Sequence, residues 1–219
     1  EYGADGIGQF RSEFLFLDRA EPPPEAEQYE TYRSALESFP DGRVIVRTLD
    51  IGGDKQIEYL DLPTEDNPFL GERGIRRSLG PDEELFKTQL RALLRAARDA
   101  ETGTGTGGGS SSSSGNLAVM LPLVSTIEEV TEAQSMIETV ASNIETAGGD
   151  DTTDADSDLD SAVRTPEFGV MIETPASAFL APELTDHVDF FSIGTNDLAQ
   201  YVMAAERGND RVRTLGDYQ

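Results

Sequence analysis

Apolar residues along this chain gather into short unbroken runs of strand length, and the stretches between them repeat their apolar positions at helical spacing. The runs are Gly6 to Phe10, Val44 to Val46, Leu117 to Val124, Phe168 to Ile172 and Asp189 to Gly194. Continuous rather than alternating runs predict parallel strands, covered on both faces or closed into a barrel. One helix is predicted over 25–38, behind the Pro22-Pro23-Pro24 break. A second spans 82–100, with Phe86, Leu90, Leu93, Leu94 and Ala97 on one face and Pro81 suited to its first turn. A third starts at Ser125, where Ser125 and Glu128 form a capping box and Ile127, Val130, Ile137, Val140 and Ile144 supply the stripe to be buried. Two shorter helices are expected over 176–184 and 198–205. Strand and helix thus alternate in βα repeats, an α/β class.

Two stretches interrupt this rhythm: 102–116, almost entirely Gly, Ser and Thr, and 146–165, rich in Asp and without an apolar face. Both read as flexible surface insertions in one partial domain covering 1–219. Each lies between a helix and a strand, so both belong at the end of the fold away from the strand C-termini. The sequence opens without Met and ends at Tyr218-Gln219 without a terminating element, which reads as an internal piece of a longer protein.

Composition narrows the function classes. A 37% hydrophobic share together with 21 Gly suffices for a sizeable core. No apolar stretch approaches the ~20 residues that span a bilayer and no signal peptide opens the chain, so a soluble, cytoplasmic protein without membrane contact is expected. The absence of Cys excludes disulfides, thiolate metal sites and a nucleophilic thiol within these residues. The formal charge of −25, from 42 acidic against 17 basic residues, argues against a nucleic-acid surface because phosphate would be repelled. Acidic residues spread along the whole chain with little Lys resemble the proteins of salt-accumulating halophiles, whose self-repulsion concentrated salt screens.

In parallel βα folds ligands bind beyond the strand C-termini, so the residues closing each run belong together. They are Arg11, Arg47, Glu173, and Thr195 with Asn196 and Asp197. The arginines offer planar forks suited to phosphate or carboxylate and stay charged at any working pH, implying an anionic substrate. Two carboxylates on neighbouring strands suit a hard divalent cation, and Mg2+ characteristically takes one or two of them and fills its shell with substrate oxygens and water. Each residue also has a plainer reading: a strand-end Arg pairs with a surface acid, Glu173 ahead of Thr174-Pro175 caps the next helix, and Arg207 complements a helix C-terminus. His187, the one histidine, precedes a strand and falls on the face away from the site as a solvent-facing residue. Gly52-Gly53-Asp54-Lys55 lacks the spacing of a Walker A loop.

Several segments resemble one family. They are Gly6-Ile7-Gly8 leading to Arg11-Ser12-Glu13-Phe14-Leu15-Phe16; Val46-Arg47-Thr48-Leu49-Asp50-Ile51-Gly52-Gly53-Asp54-Lys55; Asn67-Pro68-Phe69-Leu70-Gly71 with Arg73; Ile172-Glu173-Thr174-Pro175; and Phe190 to Tyr201 followed by Arg207-Gly208-Asn209-Asp210. Together they resemble the C-terminal, phosphoenolpyruvate-binding barrel of enzyme I of the sugar phosphotransferase system, over nearly the whole chain outside the two insertions. The resemblance implies a (β/α)8 TIM-type barrel of which this chain holds about five of the eight βα units. It implies that Arg11, Arg47 and Arg207 bind the phosphate and carboxylate of phosphoenolpyruvate, with Asn196 and Asp197 at the substrate. Glu173 and Asp197 would ligate Mg2+, and Arg73 would be a nearby supporting cation. Ser12, Ala199 and Glu206 depart from the family pattern without removing a proposed ligand. The phosphoryl-accepting His and the acid Cys would lie outside these residues, so no catalytic residue is assigned here. A small phosphocarrier protein as partner and a homodimer through this domain are further implications. The alternatives are an enzyme of the phosphoenolpyruvate synthase or pyruvate phosphate dikinase type, and a non-catalytic substrate-sensing or oligomerising barrel.

Overall fold

The computed structural model describes residues 3–53, 57–103, 116–147, 165–206 and 208–212. Five strands, β1 (Ile7–Arg11), β2 (Val44–Arg47), β3 (Leu117–Leu121), β4 (Glu167–Ile172) and β5 (Phe190–Ile193), pair in parallel and in chain order. A parallel pair needs a crossover between its strands, and here helices supply it: α1 (Glu25–Glu37), α2 (Ile75–Ser78), α3 (Glu83–Gly103), α4 (Ile127–Ala147), α5 (Pro175–Phe179) and α6 (Ala181–Leu184), with α7 (Thr195–Met203) following β5. The sheet curls into a half-barrel, the incomplete TIM-type architecture expected.

Alternation along the strands separates two buried layers. Val44, Val46, Leu117, Val119, Leu121, Phe168, Val170 and Ile172 face outward and join Leu90, Leu93 and Leu94 of α3 and Val130, Ile137 and Val140 of α4 in the core. Their neighbours Ala118, Met120 and Met171 are also buried and point to the concave side. The apolar stripe read in α3 is the face that packs, since Phe86, Leu90, Leu93 and Leu94 are all at most 2% exposed. β1 and β5 have one strand neighbour each among the described residues, and Ile193 on β5 is 67% exposed.

Where boundaries differ from those the sequence predicts, local chemistry accounts for the change. The run ending at Val124 gives a strand only to Leu121, because Pro122 has no N–H for the ladder and Leu123 turns to φ 56°. The capping box of α4 is Thr126 with Glu129, one residue beyond the predicted pair: Thr126 Oγ1 accepts from Glu129 N at 3.3 Å while the Glu129 carboxylate accepts from Ser125 N and Thr126 N. The helix expected over 176–184 is two, α5 and α6, parted at Leu180 because Pro182 disfavours continuous helix through the residues before it. α7 begins at Thr195 rather than Leu198, which moves Asn196 and Asp197 from a strand end into the first turn of a helix. α2 and the 3-10 turns Ser12–Leu15 and Pro68–Leu70 are too short to show a period.

The inserted stretches 102–116 and 146–165 fall mostly outside the described residues. Their described ends meet α3, β3, α4 and β4 at the strand N-terminal side. No described helix is long and apolar enough to cross a membrane.

The cap of α4 can be tested in the intact protein. Thr126→Ala should lower stability in urea unfolding by about 1 kcal/mol, and Ile137→Ala, which opens a hole in the core, by about 2–5 kcal/mol. Ser125→Ala should have a smaller effect than Thr126→Ala, and the opposite order would return the cap to Ser125.

Candidate functional site

The C-terminal ends of the strands deliver charged side chains into one buried cluster. β1 runs into the 3-10 turn Ser12–Leu15, which buries Ser12 and Glu13, and Ser12 Oγ donates to the carbonyl of Arg47 at 2.9 Å. Arg47, the last residue of β2, is 6% exposed; its Nη2 bonds to Glu13 Oε1 and lies 3.5 Å from Asp50 Oδ2. Its Nη1 faces the sulfur of Met171 at 3.8 Å, and its Nε has no hydrogen-bond partner among the described residues.

Arg73, just ahead of α2, joins two elements. Its Nε and Nη2 donate to Asp50 Oδ1 and Oδ2 at 3.2 and 3.0 Å, and Nη2 also donates to Asp197 Oδ2 on α7 at 2.9 Å. Its Nη1 donates to the hydroxyl of Tyr201, which donates in turn to the carbonyl of Phe69, while the guanidinium lies 5.6 Å from the Phe69 ring centre. This ties the loop after β2, the turn before α2 and the first two turns of α7 into one unit.

Glu173, one residue past β4, is 1% exposed, and its Oε1 accepts the backbone N–H of Leu123 at 2.6 Å. Leu123 presents that N–H from the left-handed region, at φ 56°, which is uncommon for a residue with a bulky side chain. Such backbone is worth about 1–3 kcal/mol of strain and persists where surroundings enforce it. Here Pro122 precedes it and the Leu123 side chain is buried. On the other side of Glu173 the chain passes so close that a Cβ on Gly194 would lie 2.7 Å from Glu173 Cβ. Thr174 completes the turn, its hydroxyl donating to the Val124 carbonyl and capping α5.

Burial pushes the Glu173 carboxyl up to about 7, and the nearby Asp50 and Asp197 charges add to the rise against the Leu123 N–H and Arg47. Burial disfavours the charge on Arg73, yet Asp50 and Asp197 outweigh it and hold its proton more tightly than usual. Among the described residues, four buried carboxylates, Glu13, Asp50, Glu173 and Asp197, meet two buried guanidiniums, Arg47 and Arg73. No three acidic or His side chains among the described residues are grouped so that they could hold a metal ion.

Of the residues singled out in the sequence, Arg47, Glu173 and Asp197 enter this cluster. Arg11 closes β1 at the rim, its side chain 60% exposed and 3.8 Å from Glu13 Oε2. Asn196 is exposed on the first turn of α7. Arg207 lies outside the described residues. Arg73 is more central than a supporting cation, and Asp50, Glu13, Leu123 and Tyr201 join the site without having been chosen. A signal for the acids existed, since a buried strand-end arginine requires buried carboxylates, and Glu13 and Asp50 are the acids nearest Arg11 and Arg47 in sequence. Nothing comparable marks Leu123. His187 follows α6 and precedes β5, at the end of the fold away from the cluster, and is partly exposed.

The model of one family, described as PEP-utilising enzyme, PEP-binding domain, matches residues 1–219. The chain is similar to the phosphoenolpyruvate-protein phosphotransferase of Haloferax volcanii, with 61% identity over 217 residues, 99% of this chain and 34% of that protein. It is similar to the proteins of the same name from Staphylococcus carnosus, 46% identical over 98% of this chain and 33% of that protein, and from Staphylococcus aureus, 45% identical over the same shares. The chain therefore spans about a third of the length of the curated relatives it matches.

The raised carboxyl of Glu173 gives a signed pH dependence. Between the ordinary value of 4.5 and about 7, the folded metal-free protein keeps a proton that the unfolded chain has lost, so this group's contribution falls as pH rises through that window. Glu173→Gln should leave stability near pH 4 little changed and raise it by on the order of 3 kcal/mol at pH 8. Urea unfolding with a chelator at constant salt is the measurement; a variant no more stable than the parent at pH 8 would contradict the burial argument.

Proposed function

We propose, since the chain belongs to the PEP-utilising enzyme family through its PEP-binding domain, that its strand-end cluster is the phosphoenolpyruvate and Mg2+ site of a phosphoenolpyruvate-protein phosphotransferase. The observation that carries this reading is the convergence of Arg47, Arg73, Glu173 and Asp197 in one buried cluster at the strand C-termini. The names of the similar proteins support a phosphotransferase over an enzyme of the synthase or dikinase type.

The donor set fits the metal. Glu173 and Asp197 are hard oxygen ligands, and a cation there would return Glu173 to its charged form. Mg2+ bound between them would supply charge neutralisation on the transferring phosphoryl group. The chain's own residues do the rest. Arg47 and Arg11 bind the phosphate and carboxylate, one from the buried side and one from the rim, and Arg207 and Asn196 add contacts to the phosphate. Holding the donor with its bridging oxygen in line with an incoming imidazole lowers the barrier by orientation and by fixed positive charge. The acceptor His and the acid that protonates the enolate of pyruvate belong to parts of the protein outside these residues. The phosphoryl group then passes to a small carrier protein in sugar uptake. A cytoplasmic location, a homodimer through this domain and adaptation to concentrated salt complete the reading, the last suggested by the −25 charge.

Arg11→Ala removes a mostly exposed side chain, so the intact protein should remain folded while its affinity for phosphoenolpyruvate drops by roughly tenfold or more, with Mn2+ binding unchanged. Asp197→Asn should abolish Mn2+ binding followed by electron paramagnetic resonance and reduce phosphoryl transfer by on the order of 10²–10³. Turnover of phosphoenolpyruvate that required ATP and no carrier protein would overturn the assignment.

A further inference from the structure

We infer that Asp50 is a positioning residue which sets both buried guanidiniums against the anionic substrate; this rests on the function proposed above. Asp50 is 1% exposed and lies where the chain leaves β2, three residues past Arg47. Both its oxygens are engaged by Arg73, Oδ1 by Nε at 3.2 Å and Oδ2 by Nη2 at 3.0 Å, and Oδ2 is also 3.5 Å from Arg47 Nη2. One carboxylate thus touches two cations that reach the site from different elements.

The environment fixes where that carboxylate can be. Gly74 N donates to the carbonyl of Ile51, closing the turn before α2 onto the residue after Asp50. Gly74 itself has φ 57°, and a Cβ there would lie 3.3 Å from Asp50 Oδ1 and 2.9 Å from Leu123 Cβ. The backbone therefore packs directly on the carboxylate, between it and the residue that orients Glu173.

The sharing of Arg73 gives Asp50 its task. Arg73 Nη2 divides between Asp50 Oδ2 and Asp197 Oδ2, at 3.0 and 2.9 Å. When Asp197 turns to a cation, the fork to Asp50 keeps the guanidinium where its remaining donors can meet an anion. Without Asp50 the guanidinium has Asp197 as its remaining carboxylate among these contacts, and Arg47 loses one of its two neighbouring acids.

The test uses the intact protein, with phosphoenolpyruvate binding followed by calorimetry in Mg2+ and cation binding followed separately with Mn2+ by electron paramagnetic resonance. Asp50→Asn should weaken phosphoenolpyruvate binding roughly ten- to a hundredfold while Mn2+ still binds. In an Arg73→Lys background, which has already lost the fork, the same substitution should cause a much smaller further loss. Equal losses in the two backgrounds, or phosphoenolpyruvate binding at the parent's affinity, would overturn the inference. Should Asp50→Asn not fold, Asp50→Glu keeps the charge but misplaces it against Gly74: weakened substrate binding with Mn2+ retained supports the role, and the parent's affinity overturns it. Absence of phosphoenolpyruvate binding by the unaltered protein would instead overturn the proposed function and this inference with it.

Discussion

A guanidinium as deeply buried as that of Arg73, at 3% exposure, persists only where its charge and donors are met. Asp50, Asp197 and Tyr201 meet them, and in doing so they join three parts of the chain. The loop after β2 is held to the turn before α2, and both are held to α7. That ionic junction holds Asp197, whose charge acts on Glu173, against the loop after β2.

The junction is poorly suited to stabilising the fold. Taking ions out of water costs several kcal/mol each. Glu173 registers its burial, and after that the neighbouring Asp50 and Asp197 charges, as a carboxyl raised to about 7. Leu123 adds strained backbone beside it, and the backbone at Gly194 packs so close to Glu173 that a side chain there would clash. The stability that tolerates these features comes from elsewhere, from the unbroken apolar layer between β2, β3 and β4 and the helices α3 and α4. A strained and charge-rich rim over a well-packed base is the division of labour expected of a binding site at the C-terminal end of parallel strands.

Much of this was legible along the chain. The apolar runs gave β2, β3 and β4 because a strand buried on both faces needs no alternation, and the stripe through Phe86, Leu90, Leu93 and Leu94 gave α3 because the core it meets is continuous. Arg47, Glu173 and Asp197 could be chosen because they close such runs. Short elements were not legible: a four-residue helix such as α2 has no period, and α5 and α6 read as one until the effect of Pro182 is considered. The capping box slipped by a residue because Ser125 and Thr126 are both competent caps, and only the direction of the backbone selects between them.

Sequence by itself determined the class of fold, the order of its elements and the chemical types at the strand ends, since hydrophobic period, turn residues and formal charge are local properties. Which carboxylate serves which arginine was decided only by tertiary structure. Arg73 and Asp197 are 124 residues apart and Glu173 and Leu123 are 50 apart, and neither pairing leaves a periodic trace. The raised carboxyl of Glu173, the strained Leu123 and the shared grip of Asp50 follow from desolvation and proximity, which exist only after the chain has closed around them.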